Sequence, residues 1–237
     1  MRKTFLIMLI LCLYLGELKA SNKYFKKYHS SEIPPHRKGL AVSLSGGTLG
    51  AGIGIHKGLS PHFAIRASYF SGNLNQKAET SFGSDAVSLD ANIKVGAVGL
   101  FLDMHPSKYS SFHFRTGLVY NFNNYQVDIT PKGNQNYGFI EYTPAQVGTI
   151  TFDIKGANYA PYLGIGFGRA IPKRRLGFGF DMGAFYHGDP ITQLNCTGTF
   201  VPSNTPENQA LLQKAFEGYN FYPFLNFNLS LLIIQSK

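Results

Sequence analysis

Tryptophan is absent from the chain, and cysteine nearly so, with two in 237 residues. Cys12 falls in an N-terminal apolar segment expected to be removed, which leaves Cys196 alone and excludes an internal disulfide. Such a lone thiol packs or sits in a loop more readily than it acts as a nucleophile. Charge is also scarce: Asp, Glu, Lys and Arg make up 15% of the residues. The longest apolar run, residues 5–15, falls short of the roughly twenty residues a spanning helix needs. Metal-ligand spacing is missing, because the histidines fall singly on separate segments beside one cysteine. Gly164-Ile165-Gly166-Phe167-Gly168 lies in a strand pattern rather than ahead of a helix, so it is no phosphate loop. Nothing points to a cofactor or a metal.

What is present favours strands. Twenty-six glycines and 14% aromatics suit many strands and turns better than a helical enzyme. The net charge of +9 raises nucleic acid as a partner, but the basic residues gather on no single stripe and a targeting signal argues against it. Residues 1–20 have a charged start, an apolar centre and Ala20 before Ser21, the order of a secretory signal peptide. Residues 21–38 are basic and contain Pro34-Pro35, which reads as a periplasmic leader without a core of its own. The remainder, residues 39–237, forms one domain.

That domain alternates with period two almost throughout, the mark of strands whose successive side chains face opposite ways. In residues 85–103 the odd positions Val87, Leu89, Ala91, Ile93, Val95, Ala97 and Phe101 are apolar, whereas Ser88, Asp90, Asn92, Lys94 and Gly96 occupy the other face. Similar alternation marks seven further strands, from Leu40-Val42-Leu44 to Leu225-Phe227-Leu229, and a phase change near Gly156 predicts a bulge in the sixth. Eight strands, each apolar on one face, predict an eight-stranded antiparallel transmembrane β-barrel, with lipid outside and a polar lumen within. Connections alternate between short (58–61, 106–110, 171–175) and long (72–84, 131–147, 197–219), as periplasmic turns and extracellular loops do. The last long loop carries a helix beginning at Pro206. Tyr69, Tyr120, Tyr159, Tyr186 and Tyr222 fall near strand ends, where an interfacial aromatic belt belongs.

By this phase Arg66, Asp90, Lys94, Arg115, Asp181, His56, His113 and His187 face the lumen. Charges held away from water are costly unless paired, so a mixed-sign lumen reads first as mutually satisfied ion pairs and second as a pore constriction. The inward glycines (Gly50, Gly52, Gly54, Gly164, Gly166, Gly168, Gly177, Gly179, Gly183) either make room for long side chains or leave a passage, and the sequence leaves both open. Lys57, Lys108, Lys173, Arg174 and Arg175 gather at the short-turn end, suited to anionic head groups of outer-membrane lipids. Catalysis is not expected: His187 near Ser203, or His113 with Ser111, lacks a third group to orient the base.

The segment Ala160-Pro161-Tyr162-Leu163-Gly164-Ile165-Gly166-Phe167-Gly168, with Gly177-Phe178-Gly179-Phe180-Asp181-Met182-Gly183-Ala184-Phe185-Tyr186-His187-Gly188-Asp189-Pro190, resembles a family of small Gram-negative outer-membrane barrels. The Gly47-Thr48-Leu49-Gly50 hairpin and the Pro61, Phe63, Ala64, Arg66, Tyr69 set resemble it too. The family's best-known relatives are of the carbapenem-susceptibility, ornithine-uptake type. The resemblance implies an eight-stranded barrel and a narrow channel for small polar or cationic solutes such as basic amino acids; the alternative is a non-conducting structural or surface-interaction barrel. Strands of this type usually finish on an aromatic residue, from which Ile234-Gln235-Ser236-Lys237 departs.

Overall fold

Residues 38–82, 85–137 and 140–235 are described in the structure, a computed structural model. The expected signal segment, and all but the last residue of the leader, lie outside them. The elements in order are β1 (Gly39–Gly47), β2 (Gly50–Gly58), β3 (Phe63–Phe82), β4 (Asp85–Met104), β5 (Phe112–Asn121), β6 (Asn124–Pro131), β7 (Gln135–Tyr137), β8 (Ile140–Tyr142), α1 (Pro144–Val147), β9 (Ile150–Lys155), β10 (Tyr159–Phe167), β11 (Leu176–Tyr186), β12 (Ile191–Cys196), α2 (Pro206–Ala215) and β13 (Phe221–Gln235).

Eight of these strands close a ring, β1-β2-β3-β4-β5-β10-β11-β13 and back to β1, every pair antiparallel. Closure pairs every wall strand on both sides, which is what lets a sheet cross hydrocarbon. Outside the ring, residues 87–94 of β4 leave β5 and pair with β6; β9 and β12 follow in turn. A second sheet, β3-β4-β6-β9-β12, thus continues past one mouth of the barrel. Of the expected long loops only the first, through residues 72–82, joins this sheet; residues 131–147 carry β7, β8 and α1, and residues 197–219 carry α2. Residues 72–82, expected as a loop, continue β3 in unbroken register with β4 from Phe63↔Met104 to Phe82↔Asp85.

The two sheets meet where three strands are interrupted at one level. The Asn123 side chain accepts from the backbone of Gly96 at 2.7 Å in place of a ladder bond between β5 and β6. Gly156, at the phase change read from the sequence, lies in a full break between β9 and β10 rather than a bulge. β11 gives way to β12 through residues 187–190. Helix α2 starts as expected, with Pro206 in its first turn and the Thr205 hydroxyl accepting from Asn208 N.

Outside the ring wall, Leu44, Ile53, Leu118, Leu163, Phe178 and Phe227 are exposed, Phe178 to 81%. An apolar exterior on a closed barrel suits acyl chains, not water. Aromatic contacts cluster toward the interrupted level: Tyr120 with Tyr159, Tyr186 with Phe221, Tyr69 with Phe122. Tyr222, expected in this belt, instead points inward, stacking on Phe185 and donating to Thr48 O.

β4 departs most from expectation. Ala97, Phe101 and Asp103 are buried inside, whereas Val98, Leu100, Leu102 and Met104 are exposed, so the odd positions face the lumen. Asp90 and Lys94 are not lumen groups: they lie on the opposite face of β4 from Asp103, in the part paired with β6. Asp90 meets Lys77 there, an exposed pair at 3.5 Å. The reason is that both faces are apolar from Val95 to Leu102, so alternation carries no sign until Asp103.

Candidate functional site

Inside the ring, side chains stack in layers. The first is ionic. Arg66 comes from β3, Asp103 from β4, Arg115 from β5 and Asp181 from β11, each at an inward position of its strand, and all four are at most 5% exposed. Arg115 is the centre: Nε donates to Asp103 Oδ1 at 2.5 Å, Nη2 to Asp103 Oδ2 at 3.1 Å, and Nη1 lies 2.6 Å from Asp181 Oδ2. Arg66 reaches the same two carboxylates at 3.1 and 3.4 Å. Two guanidinium groups against two carboxylates leave the layer neutral, which a water-poor interior demands of charge. His113 Nε2 lies 3.1 Å from Asp181 Oδ1, and Asn228 Nδ2 donates to Asp181 Oδ2.

At the short-turn end, the turn joining β10 to β11 crosses the opening. Ala170 and Ile171 are buried, and His56 on β2, across the ring, approaches Ala170 O at 3.3 Å and the Ser43 hydroxyl at 2.8 Å. His105 lies against His113, with ring centroids 5.1 Å apart.

Toward the other mouth the second layer is aromatic. Phe101 meets Tyr162 at 5.2 Å, Tyr162 meets Phe224 at 5.5 Å, and Phe224 meets Phe70 at 5.5 Å, all edge to face. Edge-to-face pairing adds about 0.5–1.5 kcal/mol per pair beyond area burial. Leu49, from the tight first hairpin, and Val119 complete the cluster. The Arg115 guanidinium sits 5.6 Å from the Phe101 ring centre, joining the layers by a cation–π contact. Above them a cavity of about 40 Å³, lined by Asn121, Asn123, Tyr125, Gly156, His187 and Tyr222, has room for no more than a few waters.

The glycines explain how so much fits. A Cβ on Gly52 would strike the Phe70 ring, on Gly99 or Gly117 the Phe101 ring, on Gly164 or Gly183 the Tyr162 hydroxyl, and on Gly166 both Asp181 and His113. Each missing side chain is a notch that a lumen side chain occupies.

Of the residues expected in the lumen, the structure brings Arg66, Arg115, Asp181 and His113 into one cluster and places His56 beneath it. His187 stands half-buried past the end of β11, at the mouth. The rim residues Lys57, Lys108, Lys173, Arg174 and Arg175 are all exposed at the short-turn end. Sequence reasoning missed Asp103 and the aromatic layer; the even-numbered run Val98, Leu100, Leu102, Met104 was the available signal for Asp103.

Solved structures with this architecture include crystal structures of CarO2 and CarO from Acinetobacter baumannii. CarO2 is 16% identical with a TM-score of 0.58, over 85% of this chain and 99% of that one; CarO is 18% identical with a TM-score of 0.57, over 81% and 97%. No family model and no curated protein matches the sequence. The resemblance to CarO-type barrels is therefore one of fold.

Proposed function

We propose that this chain is an outer-membrane β-barrel protein with a sealed lumen, which holds its outward sheet at the cell surface rather than conducting solutes. One observation carries this reading: at six glycines of the wall, Gly52, Gly99, Gly117, Gly164, Gly166 and Gly183, the space a narrow channel would need is filled by Phe70, Phe101, Tyr162, Asp181 and His113. An eight-stranded barrel has an interior just wide enough for side chains to fill, and the neutral ionic layer and the aromatic layer fill it in succession. The short turns face the periplasm and carry the exposed basic rim, where each Lys or Arg adds about 1 kcal/mol of attraction to an anionic leaflet. The β3-β4-β6-β9-β12 sheet then faces outward. The role is non-catalytic, and a pathway for basic amino acids is not part of it.

The test is conductance in a planar bilayer, with Phe101→Ala/Tyr162→Ala/Phe224→Ala as the comparison. The wild-type chain is expected to be silent and the triple variant to show openings. A steady unitary conductance from the wild-type barrel, or uptake of lysine or ornithine into vesicles that carry it, overturns the sealed reading.

A further inference from the structure

We infer that the free edge of β3 beyond the barrel mouth is a self-recognition site, pairing antiparallel with the same edge of a second copy in a facing membrane. The inference rests on the outward placement of the second sheet given above. β2 pairs with β3 only as far as Ser71. From Asn73 to Phe82 the strand keeps β4 on one side, and no described strand lies on the other. These ten residues span roughly 34 Å of unpaired backbone, and residues 73–80 are exposed.

The opposite edge of the same sheet is treated differently. On β12, the Gln213 side chain accepts from Thr192 N at 3.1 Å and donates to Pro190 O at 2.7 Å. Gln209 accepts from Leu194 N at 2.8 Å and donates to Thr192 O at 2.5 Å. Spaced four apart on one face of α2, the two glutamines satisfy the strand's donors and acceptors as a partner strand would. A bare strand edge invites pairing, and proteins normally blunt or cover it. Here one edge is sealed by a helix and the other left open over ten residues.

The charges on the open edge select the occupant. Lys77 and Glu79 would deter a generic strand. In a two-fold antiparallel register centred on Ala78, however, Lys77 faces Glu79 of the second copy and Glu79 faces its Lys77, with Gln76 opposite Thr80. Opposite charges directly across a ladder stabilise it; like charges do the reverse. The existing partners of these groups do not compete strongly: Lys77 and Asp90 are 82% and 40% exposed, and Glu79 and Lys132 are likewise at the surface.

Direction fixes where the second copy stands. Two copies in one membrane both run β3 outward, so their edges cannot meet antiparallel. Antiparallel contact requires one copy to be inverted, as it is when two membranes face each other.

The experiment uses the full chain in two differently labelled vesicle populations, with clustering read by energy transfer between them. Wild-type vesicles are expected to cluster. Lys77→Glu alone or Glu79→Lys alone is expected to weaken clustering roughly tenfold, since each places like charges opposite one another at both symmetry-related positions. Lys77→Glu vesicles mixed with Glu79→Lys vesicles, and the double swap Lys77→Glu/Glu79→Lys by itself, restore complementarity and are expected to recover it. Heat-modifiable electrophoretic mobility confirms that every variant forms its barrel. Failure of the wild type to cluster, single variants that cluster as the wild type does, or no recovery on mixing would each overturn the inference. A silent barrel that fails to cluster leaves the sealed lumen standing; a conducting barrel that clusters with this charge pattern leaves the edge standing and removes the sealed lumen.

Discussion

Arg115 is the most informative single side chain to remove. It touches both lumen carboxylates, Asp103 through two contacts and Asp181 through one, and is 1% exposed. Arg115→Leu leaves Arg66 alone against Asp103 and Asp181, one uncompensated negative charge where those carboxylates are 0% and 1% exposed. Breaking a buried pair by taking one partner costs about 3–5 kcal/mol. Asp103→Leu should cost about the same, with the opposite sign of stranded charge. In the double variant Arg115→Leu/Asp103→Leu, Arg66 and Asp181 remain as a neutral pair at 3.4 Å. That combination should cost less than the sum of the singles by about 2–3 kcal/mol, the coupling expected within one buried network. Urea unfolding in vesicles measures it, followed by the mobility of unheated samples and by tyrosine fluorescence, since there is no tryptophan. Additive single costs, or an Arg115→Leu barrel within about 1 kcal/mol of wild type, would mean that water reaches these groups, and the sealed lumen would fail with the ion-pair argument.

Three further outcomes follow from the same geometry. Gly166→Val, which drives a side chain into Asp181 and His113, and Gly164→Leu, which meets Tyr162, should each destabilise the barrel by about 1–3 kcal/mol in the same urea assay; a neutral result would indicate open wall. Gln209→Ala/Gln213→Ala should free the edge of β12 without unfolding the ring, read as faster maleimide labelling of Cys196, now 9% exposed, and faster amide exchange over residues 191–196. Burial holds the His187 imidazole below its ordinary 6.5, so the unfolded chain takes a proton that the folded chain resists. The resulting stability is present above about pH 6.5 and declines as pH falls below it; His187→Gln should remove that decline, a small one because the ring is half exposed.

Seven of the eight ring strands declare their phase in the sequence because their two faces differ in kind: leucine, isoleucine and phenylalanine outside, glycine, serine and charge inside. Arg66, Arg115, Asp181 and His113 could be named as lumen groups on that basis. β4 fails for a physical reason. A lumen filled by the protein's own side chains is not an aqueous space, so Phe101 and Ala97 belong inside as readily as Leu100 belongs outside, and hydrophobicity alone cannot tell them apart. Residues 73–80 read as a loop for the converse reason: a hairpin wet on both faces has no alternation to show. Asp103 and Arg115 face each other across the β4–β5 hairpin, but their meeting with Asp181 on β11 is remote in sequence, and no local pattern encodes it.

β4 also ties the seal to the sheet it supports. Its inner end supplies Asp103 to the ionic layer and Phe101 to the aromatic one, while residues 85–94 belong to the second sheet. Its ladder with β3 runs through both regions without a shift in register. Tightly packed interiors have low compressibility and transmit displacement, so a hairpin continuous with a filled lumen is held by that lumen rather than by a mobile loop. An empty pore would leave the same hairpin rooted in a softer wall. Filling the barrel therefore does more than close it: it fixes the direction in which the open edge of β3 is presented, and a strand that must find its own copy across a gap loses less freedom on pairing when its direction is already set.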